Sequence, residues 1–123
     1  MIRLALIVGI GGFLGSSARF LVQQAFLKLT PGIGVAGTFV ANIIGCLIIG
    51  LCIEQSGRMQ REWLVFLTGG FCGGFTTFSA FALENTNYLI GHHSNYAFIY
   101  ITSSIILGLL ATYIGMMIGR AII

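Results

Sequence analysis

Most of the side chains in this sequence that could do chemistry carry hydrogen-bond donors and stand inside long apolar stretches. They are the Asn42 amide and the hydroxyls of Thr77, Ser79, Tyr100 and Ser104. Polar groups in hydrocarbon need partners, so their presence indicates either helix contacts or a polar pathway. A lining with many donors and no free carboxylate suits an anion better than a cation. We therefore predict an anion path along these residues.

Each of these donors also has a simpler interpretation. Asn42 lies near the middle of its apolar stretch, one turn after Thr38, and could form a hydrogen bond between two helices. Tyr100, Ser104 and Thr112 share one face of a helix. Serine and threonine often donate to carbonyls of their own helix, which would explain such a face without a pathway. The donors taken together with the interrupted helix described below favour the pathway.

Two phenylalanines accompany the donors. Phe78 and Phe81 lie three residues apart, on one face of a helix. Packing is the usual role of phenylalanine, and this chain has ten. The edge of an aromatic ring is electropositive, however, so a ring edge that faces a narrow dry path attracts an anion. We predict both rings beside the anion path.

Four apolar stretches must position these residues. The chain has 123 residues, of which 57% are hydrophobic and 7% charged, and this composition excludes a soluble domain. Each stretch is near the ~20 residues that a helix needs to cross a bilayer. The stretches run from about Leu4 to Leu27, from Val35 to Ile53, from Trp63 to Ile90 and from Tyr96 to Gly119. Because the connections are short, we predict that residues 1–123 form one all-α domain of four transmembrane helices.

The third stretch is expected to break in mid-membrane. From Trp63 to Leu83 it has 21 residues without a charge, and its middle contains Gly69, Gly70, Gly73 and Gly74, followed by Thr76 and Thr77. Each glycine costs a helix interior about 1 kcal/mol relative to alanine. Broken backbone in hydrocarbon is tolerated only where protein, water or an ion satisfies its polar groups. An ion or substrate site is therefore predicted at the break.

The few charged residues exclude several functions. The net charge of +3 is small and scattered, so it does not indicate a nucleic-acid partner. With the N-terminus in the cytoplasm, four arginines flank the cytoplasmic ends (Arg3, Arg58, Arg61 and Arg120) against Lys28 outside, a modest bias for that orientation. Glu84 and Arg19 are the only acid and base near a span interior, and either could extend its charge to the interface, an interpretation favoured for Glu84. No catalytic constellation or metal-ligand cluster is present, so the chain is predicted not to be an enzyme.

Small residues recur at four-residue spacing and predict close helix packing. The ridges are Gly11 and Gly15, then Gly37, Ala41 and Gly45, then Gly115 and Gly119. Such ridges let helix backbones approach each other where lipid supplies no hydrophobic drive. Because four short helices enclose little, we also expect a homodimer or a larger assembly.

Three segments resemble the signatures of the CrcB/Fluc family of fluoride channels. They are GGFLGSSARF from Gly11 to Phe20, GTFVANIIG from Gly37 to Gly45 and GFCGGFTTFSAF from Gly70 to Phe81, in matching order and spacing. The resemblance implies a passive channel that exports fluoride through the inner cell membrane. It also implies an antiparallel, dual-topology homodimer with two pores and a structural sodium ion at its centre.

Individual roles also follow from the resemblance. It implies that backbone carbonyls of Gly73 and Thr76 from both subunits hold the sodium ion. The remaining implied positions are the pore phenylalanines Phe78 and Phe81, the pore amide Asn42, the first-helix Arg19, the third-helix acid Glu84 and a polar track of Tyr100, Ser104 and Gly108. Gly108 departs from the family pattern because it has no hydroxyl, so Thr112 or water would substitute. Ala80 stands where a threonine is frequent.

Two other classes of protein fit part of the sequence. A small multidrug-type, proton-coupled antiporter would share the size and the four helices, but it needs an acid inside the first span, and residues 4–27 contain none. A noncatalytic membrane assembly subunit would explain the packing glycines but not the interrupted third span.

Overall fold

Four membrane-length helical spans make up the structure, a computed structural model that describes residues 1–122. Helix α1 covers Ile2–Leu29, α2 covers Ala36–Glu54, the third span covers Arg61–Ile90 and α6 covers Ser94–Ala121. The mean hydropathy of the spans ranges from 1.4 to 2.2, and the described residues contain no strand. The predicted all-α fold with four spans is confirmed, with each boundary within two residues of its predicted position.

The third span consists of two halves separated by extended backbone. Its first half comprises α3 (Arg61–Val65), a π-helical segment (Phe66–Cys72) and α4 (Gly73–Phe75). Thr76 and Thr77 have extended backbone, with φ −83° and ψ 155° at Thr76 and φ −149° and ψ 114° at Thr77. Helix α5 then covers Phe78–Ile90. The break is confirmed, but it lies at the two threonines and not at the glycines. β-Branched residues favour extended backbone, whereas the glycines here remain helical.

The four glycines before the break face two directions. A Cβ on Gly70 would lie 2.9 Å from the Cα of Gly11, and one on Gly74 would lie 3.0 Å from backbone atoms of α1. These two glycines therefore let the third span pack directly on α1. A Cβ on Gly69 or Gly73 would meet nothing closer than 3.7 Å, and both residues are exposed. The second pair thus forms a small-residue patch on the outside of the chain.

Close approach also joins α2 to its neighbours. A Cβ on Gly37 would lie 2.6 Å from the Cα of Gln23 in α1, and one on Gly119 would lie 2.8 Å from the Cβ of Glu54 in α2. Next to the Gly119–Glu54 contact, Arg120 Nε donates to Glu54 Oε1 over 2.9 Å. The predicted close packing at the small residues is therefore found within the chain, where it brings α1, α2 and α6 together.

Large apolar side chains cover the outside of the structure. Phe13 on α1, Phe98 and Leu109 on α6 and Leu83 on α5 all remain exposed. Few large side chains are buried within the part of the chain described here, since its core consists mainly of alanine, cysteine, glycine and two aromatic rings. Such a surface is suited to lipid or to a second copy of the chain.

Candidate functional site

Asn42 holds the extended backbone at the break. Its Oδ1 accepts the backbone N–H of Thr77 over 2.7 Å, and its Nδ2 donates to the Thr77 carbonyl over 3.2 Å. One side chain of α2 thereby satisfies both the backbone N–H and the carbonyl of Thr77, which lies outside the helical segments. This pairing is possible because an amide carries a donor and an acceptor side by side.

Thr77 begins the second half of the span as an N-cap. Its Oγ1 accepts the backbone N–H of Ala80 over 3.2 Å and lies 3.2 Å from the hydroxyl of Ser79. In a continuous helix the N–H of Ala80 would donate to Thr76, and that of Thr77 would donate to Gly73. Both donors are directed elsewhere, so the carbonyls of Thr76 and Gly73 lose their helical partners. Two hard oxygen ligands of the kind that alkali and alkaline-earth cations accept are thus available at the break.

Arg19 stabilises the first half of the broken span. Its Nε donates to the carbonyl of Gly74 over 3.1 Å, across 55 positions of sequence. In a continuous helix that carbonyl would accept the N–H of Phe78, so the guanidinium takes the place of a lost backbone donor. The alternative that Arg19 simply extends to the membrane interface is wrong, because its side chain turns to the break.

Glu84 lies inside a hydrogen-bond network. Its Oε1 accepts from the Thr38 hydroxyl over 2.6 Å, and its Oε2 accepts from the Tyr100 hydroxyl over 2.7 Å. Gln23 Nε2 in turn donates to Thr38 Oγ1 over 3.0 Å. The hypothesis that Glu84 extends its charge to the interface is wrong, since hydroxyls from α2 and α6 hold both oxygens. These two hydroxyls are also already engaged, so an anion would have to compete for them.

A cavity of about 420 Å³ adjoins the break at Thr76 and Thr77. It is lined by seven of the residues singled out in the sequence: Asn42, Gly73, Thr76, Thr77, Phe78, Phe81 and Ser104. Five other residues singled out in the sequence do not line this cavity: Arg19, Thr38, Ser79, Glu84 and Tyr100. The structure therefore brings residues from α2, both halves of the third span and α6 to one place.

The two phenylalanines occupy different environments. Phe81 lies against Tyr100, with ring centroids 5.1 Å apart, and its ring centroid lies 5.8 Å from that of Phe78. The Phe78 side chain is 79% exposed although it lines the cavity. Packing inside this chain therefore does not explain Phe78, and its surroundings come from outside the single chain.

The hydroxyl stripe on α6 is divided between two uses. Ser104 lines the cavity, and its Oγ is buried without a hydrogen-bond partner among the described residues. Thr112 donates to the carbonyl of Gly108 over 3.0 Å, within its own helix. Thr112 was expected to replace the hydroxyl missing at Gly108, but its proton is already donated to this carbonyl. Ser104 is the position where a free donor faces the cavity.

Sequence reasoning missed two polar residues of the spans. Gln23 extends the Glu84 network onto α1, and Asn85 is buried, donating to the Phe81 carbonyl over 2.9 Å while its Oδ1 has no partner among the described residues. The signal was present in both cases, because each is an amide side chain within a predicted span. A periodic view of the first span also shows Gln23 one turn after Arg19.

Comparison with known proteins follows the same elements. Residues 6–116 match the family described as CrcB-like protein, Camphor Resistance (CrcB), which covers all four spans up to Met116. The chain belongs to the CrcB-like family. A relative from Flavobacterium psychrophilum is 40% identical over 92% of this chain and 94% of its own length. Relatives from Gloeothece citriformis and Caulobacter are 45% and 41% identical, over 89% and 95% of this chain and 91% and 94% of their own lengths. Each of these relatives is named a fluoride-specific ion channel, FluC.

Proposed function

We propose that this chain forms a fluoride-selective channel that lets fluoride leave the cytoplasm passively. The observation that carries the proposal is the similarity, over about nine-tenths of its length, to relatives that are named fluoride-specific ion channels. The cavity beside the broken span supports it, because the lining brings aromatic rings and a free hydroxyl together within a membrane-spanning protein. Glu84, the only acid near a span interior, is already held by two hydroxyls, so the lining offers no free carboxylate for a cation.

Fluoride is small and strongly hydrated, so a narrow path must replace its water with close donors. Ser104 offers a donor without a competing partner, and the ring edges of Phe78 and Phe81 offer positive charge density. Asn42 lines the same cavity, with its amide held in a fixed orientation by Thr77. Rigid donors at short distances favour fluoride over the larger chloride ion.

The working unit in this proposal is an antiparallel homodimer with two pores. Phe78 is exposed and the patch formed by Gly69 and Gly73 leaves room for a Cβ, and Phe78 and Gly73 both line the cavity at the break. A second copy placed there would cover them. Antiparallel insertion requires that neither end be strongly anchored by charge. The arginine bias toward the cytoplasmic ends is modest, and dual topology in the inner membrane rests in this proposal on the family resemblance.

A sodium ion at the dimer centre completes the proposal. The carbonyls of Gly73 and Thr76 have lost their helical donors, and Gly73 is exposed on the proposed contact face. Two copies would supply four hard oxygens without a carboxylate, a set that suits a monovalent alkali ion. The ion would add positive potential near both paths and join the subunits.

Efflux from liposomes tests the function. Purified protein is reconstituted with fluoride inside, and a potassium gradient with valinomycin sets the membrane potential. We expect fluoride efflux that follows the potential and needs neither a proton gradient nor a sodium gradient. Chloride and a quaternary ammonium cation, measured in the same vesicles, should move far more slowly.

Three results would count against the proposal. Efflux that depends strictly on a proton gradient would indicate a transporter. Equal movement of chloride would remove the selectivity, and movement of the organic cation would support the antiporter class. Protein-free liposomes provide the baseline for all of these measurements.

A further inference from the structure

A chain of hydrogen bonds ends at a residue to which the proposed channel assigns no role. Gln23 Nε2 on α1 donates to Thr38 Oγ1 on α2 over 3.0 Å, and Thr38 donates to Glu84 Oε1 over 2.6 Å. Tyr100 on α6 donates to the other oxygen of the carboxylate over 2.7 Å. Four helices therefore meet at one carboxylate, and Gln23 is the outermost member of the chain.

Gln23 fixes the direction of this chain. A hydroxyl has one proton to donate, whereas an amide nitrogen can only donate. The bond from Gln23 therefore occupies an acceptor position on Thr38 and leaves the Thr38 proton for Glu84. Without Gln23 the hydroxyl can rotate and donate to a carbonyl of its own helix, as threonines in helices often do. Glu84 would then lose one of its two hydroxyl donors.

Helix α1 holds both halves of the broken span through residues one turn apart. Arg19 donates to the carbonyl of Gly74, just before the break. Gln23 reaches Glu84 in α5, after the break, through its bond to α2. The approach of α1 to α2 at this level is close, because a Cβ on Gly37 would lie 2.6 Å from the Cα of Gln23. The two contacts together set the position of one half relative to the other.

We propose that Gln23 is a positioning residue for the anion path. It acts through Thr38 to hold Glu84, and Glu84 fixes the half-helix that carries Phe81 against Tyr100, at 5.1 Å between ring centroids. Loss of the Gln23 amide leaves the carboxylate held by Tyr100 alone, so that it can turn toward the path, where its charge repels an anion. It also loosens the spacing of the two rings. This inference rests on the proposed fluoride conduction and adds a determinant on α1 to it.

A double-mutant cycle tests the inference. Fluoride efflux per folded protein is measured for Gln23→Leu, for Thr38→Val and for the two combined. We expect Gln23→Leu alone to lower efflux about fivefold, the effect of one lost hydrogen bond. In the Thr38→Val background the same substitution should change efflux by less than about twofold, because the link is already cut. Gln24→Leu alters the exposed neighbouring amide and should leave efflux near that of the unsubstituted chain.

The outcomes separate positioning from general packing. Equal factors in both backgrounds would show that Gln23 does not act through Thr38 and would overturn the inference. A lower yield of folded protein with unchanged efflux per folded protein would reduce Gln23 to a structural role and would also overturn it. Equal fluoride efflux from Gln23→Leu and from the unsubstituted chain would overturn this inference but not the proposed function. Absence of efflux from the unsubstituted chain overturns the proposed function and this inference with it.

Discussion

Asn42 connects the conformation of the break to the chemistry of the cavity. The same amide that pairs with both backbone groups of Thr77 also lines the cavity. A substitution there therefore tests conduction and backbone support together. The choice of substitution decides which of the two is disturbed more.

Asn42→Asp keeps the oxygen that accepts the N–H of Thr77 and replaces the donor by a second oxygen. That oxygen would face the Thr77 carbonyl and would bring negative charge to the path. Losing a half-buried donor and adding a charge costs about 1–3 kcal/mol, so we expect fluoride efflux to fall roughly tenfold or more. Asn87→Asp, at an exposed position of α5, provides the same change of charge elsewhere. A folded Asn42→Asp protein with normal efflux would exclude the amide from the path.

Phe78→Ile and Phe81→Ile test the ring edges. Isoleucine keeps apolar bulk but has no quadrupole, so attraction for an anion is lost while packing is largely kept. We expect each variant to conduct fluoride at least about tenfold more slowly, with the protein still folded in size-exclusion chromatography. Phe98→Ile on the outside of α6 is the matched control and should conduct normally. Normal fluoride efflux from both Phe78→Ile and Phe81→Ile would show that the two rings serve packing only.

At the scale of the helix, adjacent glycines give opposite expectations. Gly70 lies against the backbone of α1, whereas Gly69 is exposed with room for a Cβ. Gly70→Ala should lower the free energy of unfolding in detergent by about 1–3 kcal/mol, because it forces two backbones apart. Gly69→Ala should leave the free energy of unfolding of the single chain unchanged or raise it by up to about 1 kcal/mol through helix propensity. Equal destabilisation by both would contradict the close packing described for Gly70.

The elements of this chain could be predicted from its sequence more completely than the contacts between them. Hydropathy predicted all four spans because lipid requires about 20 apolar residues in each. The glycines indicated the interruption, yet the same residue type serves close packing at Gly70 and Gly74, so composition could not place the break at Thr76 and Thr77. The partners of the break were hidden by distance in sequence. Asn42 pairs with Thr77 across 35 positions, and no local pattern reveals such a pair.

At the scale of the whole molecule, Gly73 tests the proposed dimer. It is exposed, and a Cβ there would meet nothing closer than 4.0 Å within the chain. Gly73→Ala should therefore leave the subunit folded but weaken association, because the added methyl lies on the proposed contact face. Light scattering of the detergent-solubilised protein measures the oligomeric state. Gly9→Ala, another open glycine, on α1, should leave the mass unchanged. If Gly73→Ala leaves the mass of the assembly unchanged, Gly73 does not lie on the contact face between subunits.

Sodium provides the second test at this scale. A structure of the assembled protein should contain a spherical density on the two-fold axis, equally distant from both copies of the Gly73 and Thr76 carbonyls. Replacing sodium by N-methylglucamine during purification should reduce both the dimer fraction and fluoride efflux. Thr76→Ser should be mild, since the proposed ligand is a backbone atom. A parallel dimer, or carbonyls far from the axis, would contradict the proposed cation site.

The support of the break by other helices has a consequence for the order of membrane assembly. The polar groups exposed at Thr76 and Thr77 are satisfied by Asn42 from α2, and the Gly74 carbonyl by Arg19 from α1. A third span that enters the bilayer alone lacks these partners, and its mean hydropathy of 1.4 is the lowest of the four. While it is alone, an unbroken helix is the form that satisfies its backbone. We therefore expect the interruption to form after insertion, when the neighbouring helices associate with the third span.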